Sequence, residues 1–152
     1  MAAVLIGCGG FLLAVLWMDL LFDVQVRRLA GADAAASTAA LASIVAYYRR
    51  ATIEAFPMNR LIGAVMLVQL FGIAHELLTR TVAGARALAV LVLGVAPIAL
   101  AFARIVPDAM RLGAATDAAA VQADLARRIY HAHLVCAVAI AAFTAIQIQL
   151  AR

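Results

Sequence analysis

Four long apolar stretches divide the chain: residues 2–22, 57–78, 87–106 and 130–150. Each is close to the roughly 20 residues that an α-helix needs to cross about 30 Å of hydrocarbon. A backbone in lipid must satisfy its own N–H and C=O groups, which leaves only helices and closed barrels. The alternation of polar and apolar residues that marks a barrel is absent. The pattern predicts an all-α fold, an integral membrane four-helix bundle forming one transmembrane domain over residues 1–152.

The polar punctuation fits this division. Thr79, Arg80, Thr81 and Gly84 separate the second and third stretches. Pro57 suits the first turn of a helix, where its missing N–H costs nothing. Pro107 and Asp108 are expected to end the third stretch. Pro97 lies inside that stretch, close after Gly94, and predicts a kink or a close helix contact. Between the first two stretches, residues 33–56 begin with Asp33 as an N-cap and continue in an alanine-rich run. The uncharged part, residues 34–48, is short for a span, and Tyr47, Tyr48, Arg49 and Arg50 read as an interfacial end. An additional cytoplasmic or interfacial helix is expected there, rather than a fifth span.

Composition supports lipid as the solvent. The chain is 68% hydrophobic and 13% charged, against roughly 45–50% and about 25% in soluble domains. All 12 basic residues are arginine. Together with the alanine richness, this suggests a GC-rich bacterial genome and hence the bacterial inner membrane. Arg27, Arg28, Arg49, Arg50, Arg60, Arg104, Arg111, Arg127 and Arg128 fall on one side of the predicted bundle, and Arg80, Arg86 and Arg152 on the other. An arginine excess marks the cytoplasmic side, so both termini are expected to be periplasmic. The first stretch lacks the flanks of a cleaved signal peptide and is expected to stay as a helix. No basic face interleaved with aromatic residues is present, so no nucleic-acid partner is expected. Cys8 and Cys136 form no CxxC, and the predicted layout puts them at depths too different for a disulfide.

Ionisable residues in lipid are costly and point to function by default. Asp19, Asp23 and Arg27 are spaced i, i+4, i+8 along one face of the first helix. The predicted layout brings Asn59 and Arg60, Arg104 and Asp108, and Arg127, Tyr130 and His131 to the same level. Asp19 is expected to face the bundle interior, near Asn59 or Arg60 and near Tyr130 or His131. Two readings of this layer stay open. It is either a set of interfacial ion pairs that closes the bundle, or a ligand-binding site at the mouth of an apolar pocket formed by Asp19, Asp23, Asn59, Arg60, Asp108, Tyr130 and His131. Asp19, Arg60, Arg104 and His131 are the catalytic candidates. Farther along, Glu76 and Arg80 can pair at i, i+4, and Gln69 is expected to hydrogen-bond another helix. His133, Ala137, Ala141, Ala145 and Gln149 recur every fourth residue, a stripe expected to pack on a neighbour within the bundle or in another subunit.

No metal site or cofactor is expected. His131 and His133 do not share a helix face, since pairs two apart diverge. His75 lies near the opposite end of the bundle, on the order of 20 Å from His131 along the helix axes, so the two cannot hold one haem in a monomer.

The segment Met18-Asp19-Leu20-Leu21-Phe22-Asp23, the opening Pro57-Met58-Asn59-Arg60-Leu61, Val106-Pro107 and Arg127-Arg128-Ile129-Tyr130-His131-Ala132-His133 carry a resemblance. In their layout the chain resembles the small four-helix bacterial membrane proteins of the anthrone oxygenase-like group, most of them uncharacterised. The resemblance transfers no catalytic residue.

Two functions compete. One is an accessory or scaffold subunit of a membrane complex that binds lipid, with other membrane subunits or further copies of itself as partners. The alternative is an enzyme acting on a lipophilic quinone- or polyketide-like ring. There Asp19 or His131 would move protons and Arg60 or Arg104 would stabilise an oxyanion. A transporter fits less well, since inverted repeats and paired broken helices are absent.

Overall fold

The computed structural model describes residues 1–30, 34–54 and 56–152. Six α-helices account for most of these: α1 (Ala2–Asp23), α2 (Ala34–Arg49), α3 (Met58–Leu78), α4 (Gly84–Leu100), α5 (Val106–Ala114) and α6 (Ala119–Leu150). A 3₁₀ turn (Val24–Ala30) extends α1, and π turns follow α2 (Arg50–Glu54) and α4 (Ala101–Ile105). Among the described residues there is no strand. Asp33, the expected N-cap, lies outside the described residues.

Four helical runs are long and apolar enough to cross a membrane: Ala2–Leu29, Met58–Leu78, Gly84–Ala114 and Ala119–Leu150. They leave large apolar side chains bare, among them Leu78 at 83% exposure, Phe71 at 74% and Trp17 at 67%. Such faces are stable only against lipid. The chain is therefore a multi-pass membrane bundle.

The runs differ in length, and that difference builds the end of the bundle where the site lies. Met58–Leu78 has 21 residues and Ala119–Leu150 has 32. At a 1.5 Å rise the longer one measures about 48 Å, well beyond the roughly 30 Å of hydrocarbon. The excess at the start of α6, the 3₁₀ turn after α1 and the whole of α5 project from the same end. Helix α2, absent from the four spans, packs on all three. The core of this cap includes Val26, Ile44, Tyr48, Leu112, Leu125 and Ile129. A second core, formed by Leu5, Ile73, Val82, Val90 and Phe143, fills the opposite half of the bundle.

Small residues set the closest approaches, as expected where lipid supplies no hydrophobic drive between helices. The main crossing is α1 on α6. There Gly9 faces Thr144 with no room for a Cβ. In the cap, a Cβ on Gly113 of α5 would lie 2.9 Å from the backbone nitrogen of Arg49. This glycine lets α2 rest directly on α5.

Two expectations about proline are resolved. Pro107 does not end the third helical run: it occupies the first turn of α5, and the chain stays helical to Ala114. The π turn has already interrupted the regular ladder, and a first helical turn tolerates a missing N–H. Pro97 lies inside α4, near the close contact that Gly94 makes with Ile73 and Phe143. The break between α3 and α4 falls where the sequence put it, with Arg80 at φ 53° and Gly84 at φ 59°.

Candidate functional site: a buried carboxylate–histidine cluster

Asp19 and Asp23 lie one turn apart near the end of α1 and point toward α6 and α2. Asp23 is 1% exposed. Its two oxygens are taken by different helices. Tyr48 on α2 donates its hydroxyl to Oδ1 at 2.6 Å. Nδ1 of His133 on α6 lies 2.6 Å from Oδ2. A carboxylate accepts only, so the imidazole proton sits on Nδ1 in this contact. The other ring nitrogen, Nε2, faces Oδ2 of Asp19 at 3.8 Å, an ion pair when the ring is protonated. Tyr47 donates to Oδ1 of Asp19 at 2.5 Å. The ring of Tyr47 stacks on Phe22, with centroids 4.1 Å apart. The result is a chain of five side chains: Tyr48, Asp23, His133, Asp19, Tyr47.

Local structure explains the chain. The i, i+4 spacing aligns the two carboxylates. The adjacent tyrosines lie in the last turn of α2, where consecutive side chains splay apart and reach one carboxylate each. Burial, followed by the charges of Asp23 and Asp19, holds the Tyr48 phenol well above its ordinary value of 10.0. Burial and Asp19 raise Tyr47 in the same direction. Both phenols therefore remain donors. Because the two carboxylates address opposite nitrogens of one ring, they do not converge on a common point for a metal ion. Among the described residues, no group of three or more His, Cys, Asp or Glu side chains is arranged to hold one.

The sequence placed Asp19 in the interior, and it is there, with 17% of its side chain exposed. Its partners differ from those expected. They are Tyr47 and His133, not Asn59, Arg60, Tyr130 or His131. Asn59 and Arg60 are exposed and bond to each other, the Arg60 N–H donating to Asn59 Oδ1 at 2.7 Å. The Arg60 guanidinium also lies 4.8 Å from the Phe56 ring centroid. Tyr130 is buried and accepts a 3.0 Å hydrogen bond from Arg27. His131 is exposed and turns its Nδ1 to the carbonyl of Arg127. Asp108 pairs with Arg128 at 3.1 Å. Arg104 is exposed. The expected polar layer thus separates into a buried cluster and an exposed rim.

His133, Tyr47 and Tyr48 are the members that sequence reasoning assigned elsewhere. Two buried carboxylates require proton-bearing partners, and of three histidines only His133 is buried. That requirement is the signal in the sequence that leads to it.

A second buried polar group crosses the other half of the bundle. Gln147 on α6 donates to Glu76 on α3 at 2.9 Å, and Gln69 donates to the carbonyl of Gly94 at 3.0 Å. Gln69 therefore bonds another helix, as expected. Glu76 pairs across to α6 instead of along its own helix to Arg80, because α3 ends at Leu78 and Arg80 lies in the turn beyond.

No family model matches the chain, and no curated protein or solved structure shows significant similarity to it.

Proposed function

We propose that the protein is a non-enzymatic membrane component, an accessory or scaffold subunit that contacts lipid over most of its surface. One observation carries this reading. The buried carboxylates are engaged by partners from two other helices, and that engagement fastens α2 to α1 and α6. A catalytic site keeps such groups facing a cavity where substrate can sit. Neither of the two grooves along the seam between the α4–α5 run and α6 is lined by Asp19, Asp23 or His133. The α6 stripe adds support, since Ala141, Ala145 and Gln149 are exposed and have no side-chain partner among the described residues. Small residues there admit a helix of another subunit or of a second copy. The arginine- and alanine-rich composition favours the bacterial inner membrane, and the arginine distribution favours periplasmic termini.

The enzymatic alternative rests on a different observation. Arg104 and His131 line one groove. In that reading His131 moves a proton and Arg104 holds an oxyanion on a quinone- or polyketide-like ring. Asp19 and Arg60 do not line this groove.

The test is purification of the full chain from its own membrane in mild detergent, followed by native mass spectrometry. A stoichiometric protein partner, lost on Ala145→Trp, supports the accessory reading. A chain that purifies alone and turns over a lipophilic ring compound, with loss of turnover in Arg104→Gln and His131→Gln, overturns it.

A further inference from the structure

Two grooves run along the seam between the α4–α5 run and α6. One, of about 490 Å³, is bordered by Arg104, Asp108, Arg127 and Arg128, with Leu100 and Val135 deeper in. The other, of about 410 Å³, is entirely apolar and is lined by Leu93, Leu134, Val135, Val138 and Ala139. Val135 belongs to both, so the two form one furrow that is basic at one end and greasy along the rest.

We propose that this furrow binds one anionic phospholipid, with its phosphate at Arg104, Arg127 and Arg128 and an acyl chain along Val135, Val138 and Leu93. The proposal deepens the lipid-contacting part of the reading above and rests on it.

Charge complementarity gives the headgroup its sign. Three guanidinium groups border the mouth, two of them in ion pairs with carboxylates, which leaves one net positive charge there. Arg128 is tied to Asp108 and Arg127 to Asp124. Arg104 has no ion pair or hydrogen-bond partner from its side chain among the described residues. A guanidinium presents a planar fork that fits phosphate oxygens, and a positive group at the membrane surface attracts anionic lipid. Geometry gives the tail. From Arg104 back to Leu93 the helical run covers about 16 Å at its usual rise. One leaflet contributes about 15 Å of hydrocarbon. The apolar groove therefore lies at acyl-chain depth when the arginines lie at phosphate depth. A free phosphate would use the mouth alone and leave the apolar groove without a role.

The test uses the full chain in detergent, with retained lipid counted by native mass spectrometry. The probes are phosphatidylglycerol, phosphatidylcholine and inorganic phosphate. Phosphatidylglycerol is expected to be retained in preference to phosphatidylcholine. Arg104→Gln should weaken that retention about fivefold, the effect of one arginine near a charged headgroup. Val138→Trp, which fills the apolar groove from an already exposed position, should also weaken it, whereas Arg60→Gln should not. Equal retention of both lipids overturns the proposal. So does displacement of phosphatidylglycerol by inorganic phosphate, or unaltered binding in both Arg104→Gln and Val138→Trp. A chain that purifies alone and turns over a ring compound removes the accessory-subunit reading but leaves a positive lipid result standing.

Discussion

Nδ1 of His133 lies 2.6 Å from Oδ2 of Asp23, a contact between positions 110 residues apart. It fixes α6 against α1 at the level where α2 docks, and the second oxygen of the same carboxylate holds Tyr48 of α2. One buried carboxylate thus joins three helices. A carboxylate removed from water is stable only with such partners, and removing a partner costs more than the pair contributes.

His133→Leu is therefore expected to destabilise the bundle by about 3–5 kcal/mol, because it leaves Oδ2 of the buried Asp23 without its partner and takes the imidazole from beside Asp19. His131→Ala, two positions away but exposed, should change stability by no more than about 0.5 kcal/mol. Chemical denaturation of both variants in the same detergent checks the contrast. Equal effects would show that burial at the two positions does not differ as described.

The far cluster makes a separate claim. Among the described residues, Gln147 supplies the one side-chain hydrogen bond to the Glu76 carboxylate, and Glu76 is 4% exposed. Gln147→Leu should cost about 1–3 kcal/mol by leaving that acceptor unmet. Glu76→Gln keeps an acceptor in place and should cost less. If the order of the two were reversed in thermal unfolding, charge at Glu76 would matter more than the hydrogen bond.

Docking of the cap tests packing without polar chemistry. With backbone 2.9 Å from where its Cβ would be, Gly113→Ala must push α5 away from α2. Overpacking of this kind costs about 1–3 kcal/mol. Hydrogen exchange should quicken in residues 34–49 while the rate in α3 stays unchanged. Unaltered exchange in both would mean that α2 is held by the tyrosines alone.

Much of this architecture was legible from residue spacing, and the limits have a physical cause. The four spans follow from apolar length, and the separate status of α2 follows from its short uncharged run. The carboxylates at Asp19 and Asp23 announced an interior face because charge in lipid is costly. Their partners were hidden because α6 is apolar around most of its circumference, and such a helix does not declare which side is inward. His133 therefore looked like a member of an alanine stripe. The stripe itself turns: a residue recurring every fourth position drifts around a helix of 3.6 residues per turn, so His133 is buried while Ala141 and Ala145 are exposed. Tyr47 and Tyr48 resembled an interfacial aromatic pair because nothing in sequence spacing shows that α2 folds back over the end of α1. Pro107 misled for a local reason, since a proline that ends one helix and a proline that opens the next look alike.

The tyrosines give the last prediction, a dependence on pH. Burial and the neighbouring carboxylates raise the Tyr48 and Tyr47 phenols above 10.0 in the folded protein. Unfolding returns both to the ordinary range near 10. Above that pH the unfolded chain releases protons that the folded chain retains, so stability falls as pH rises. Below it the stabilisation is fully present. Unfolding in detergent should therefore show a plateau up to about pH 9 and a decline beyond it. Tyr48→Phe should be less stable on the plateau, because Asp23 Oδ1 loses its donor. Its decline should also be shallower, because one titrating phenol is gone. Tyrosinate absorbance should rise for these two residues only as the protein unfolds. A Tyr48→Phe variant with the same alkaline slope as the parent would place Tyr48 outside the buried chain that links it to Asp23.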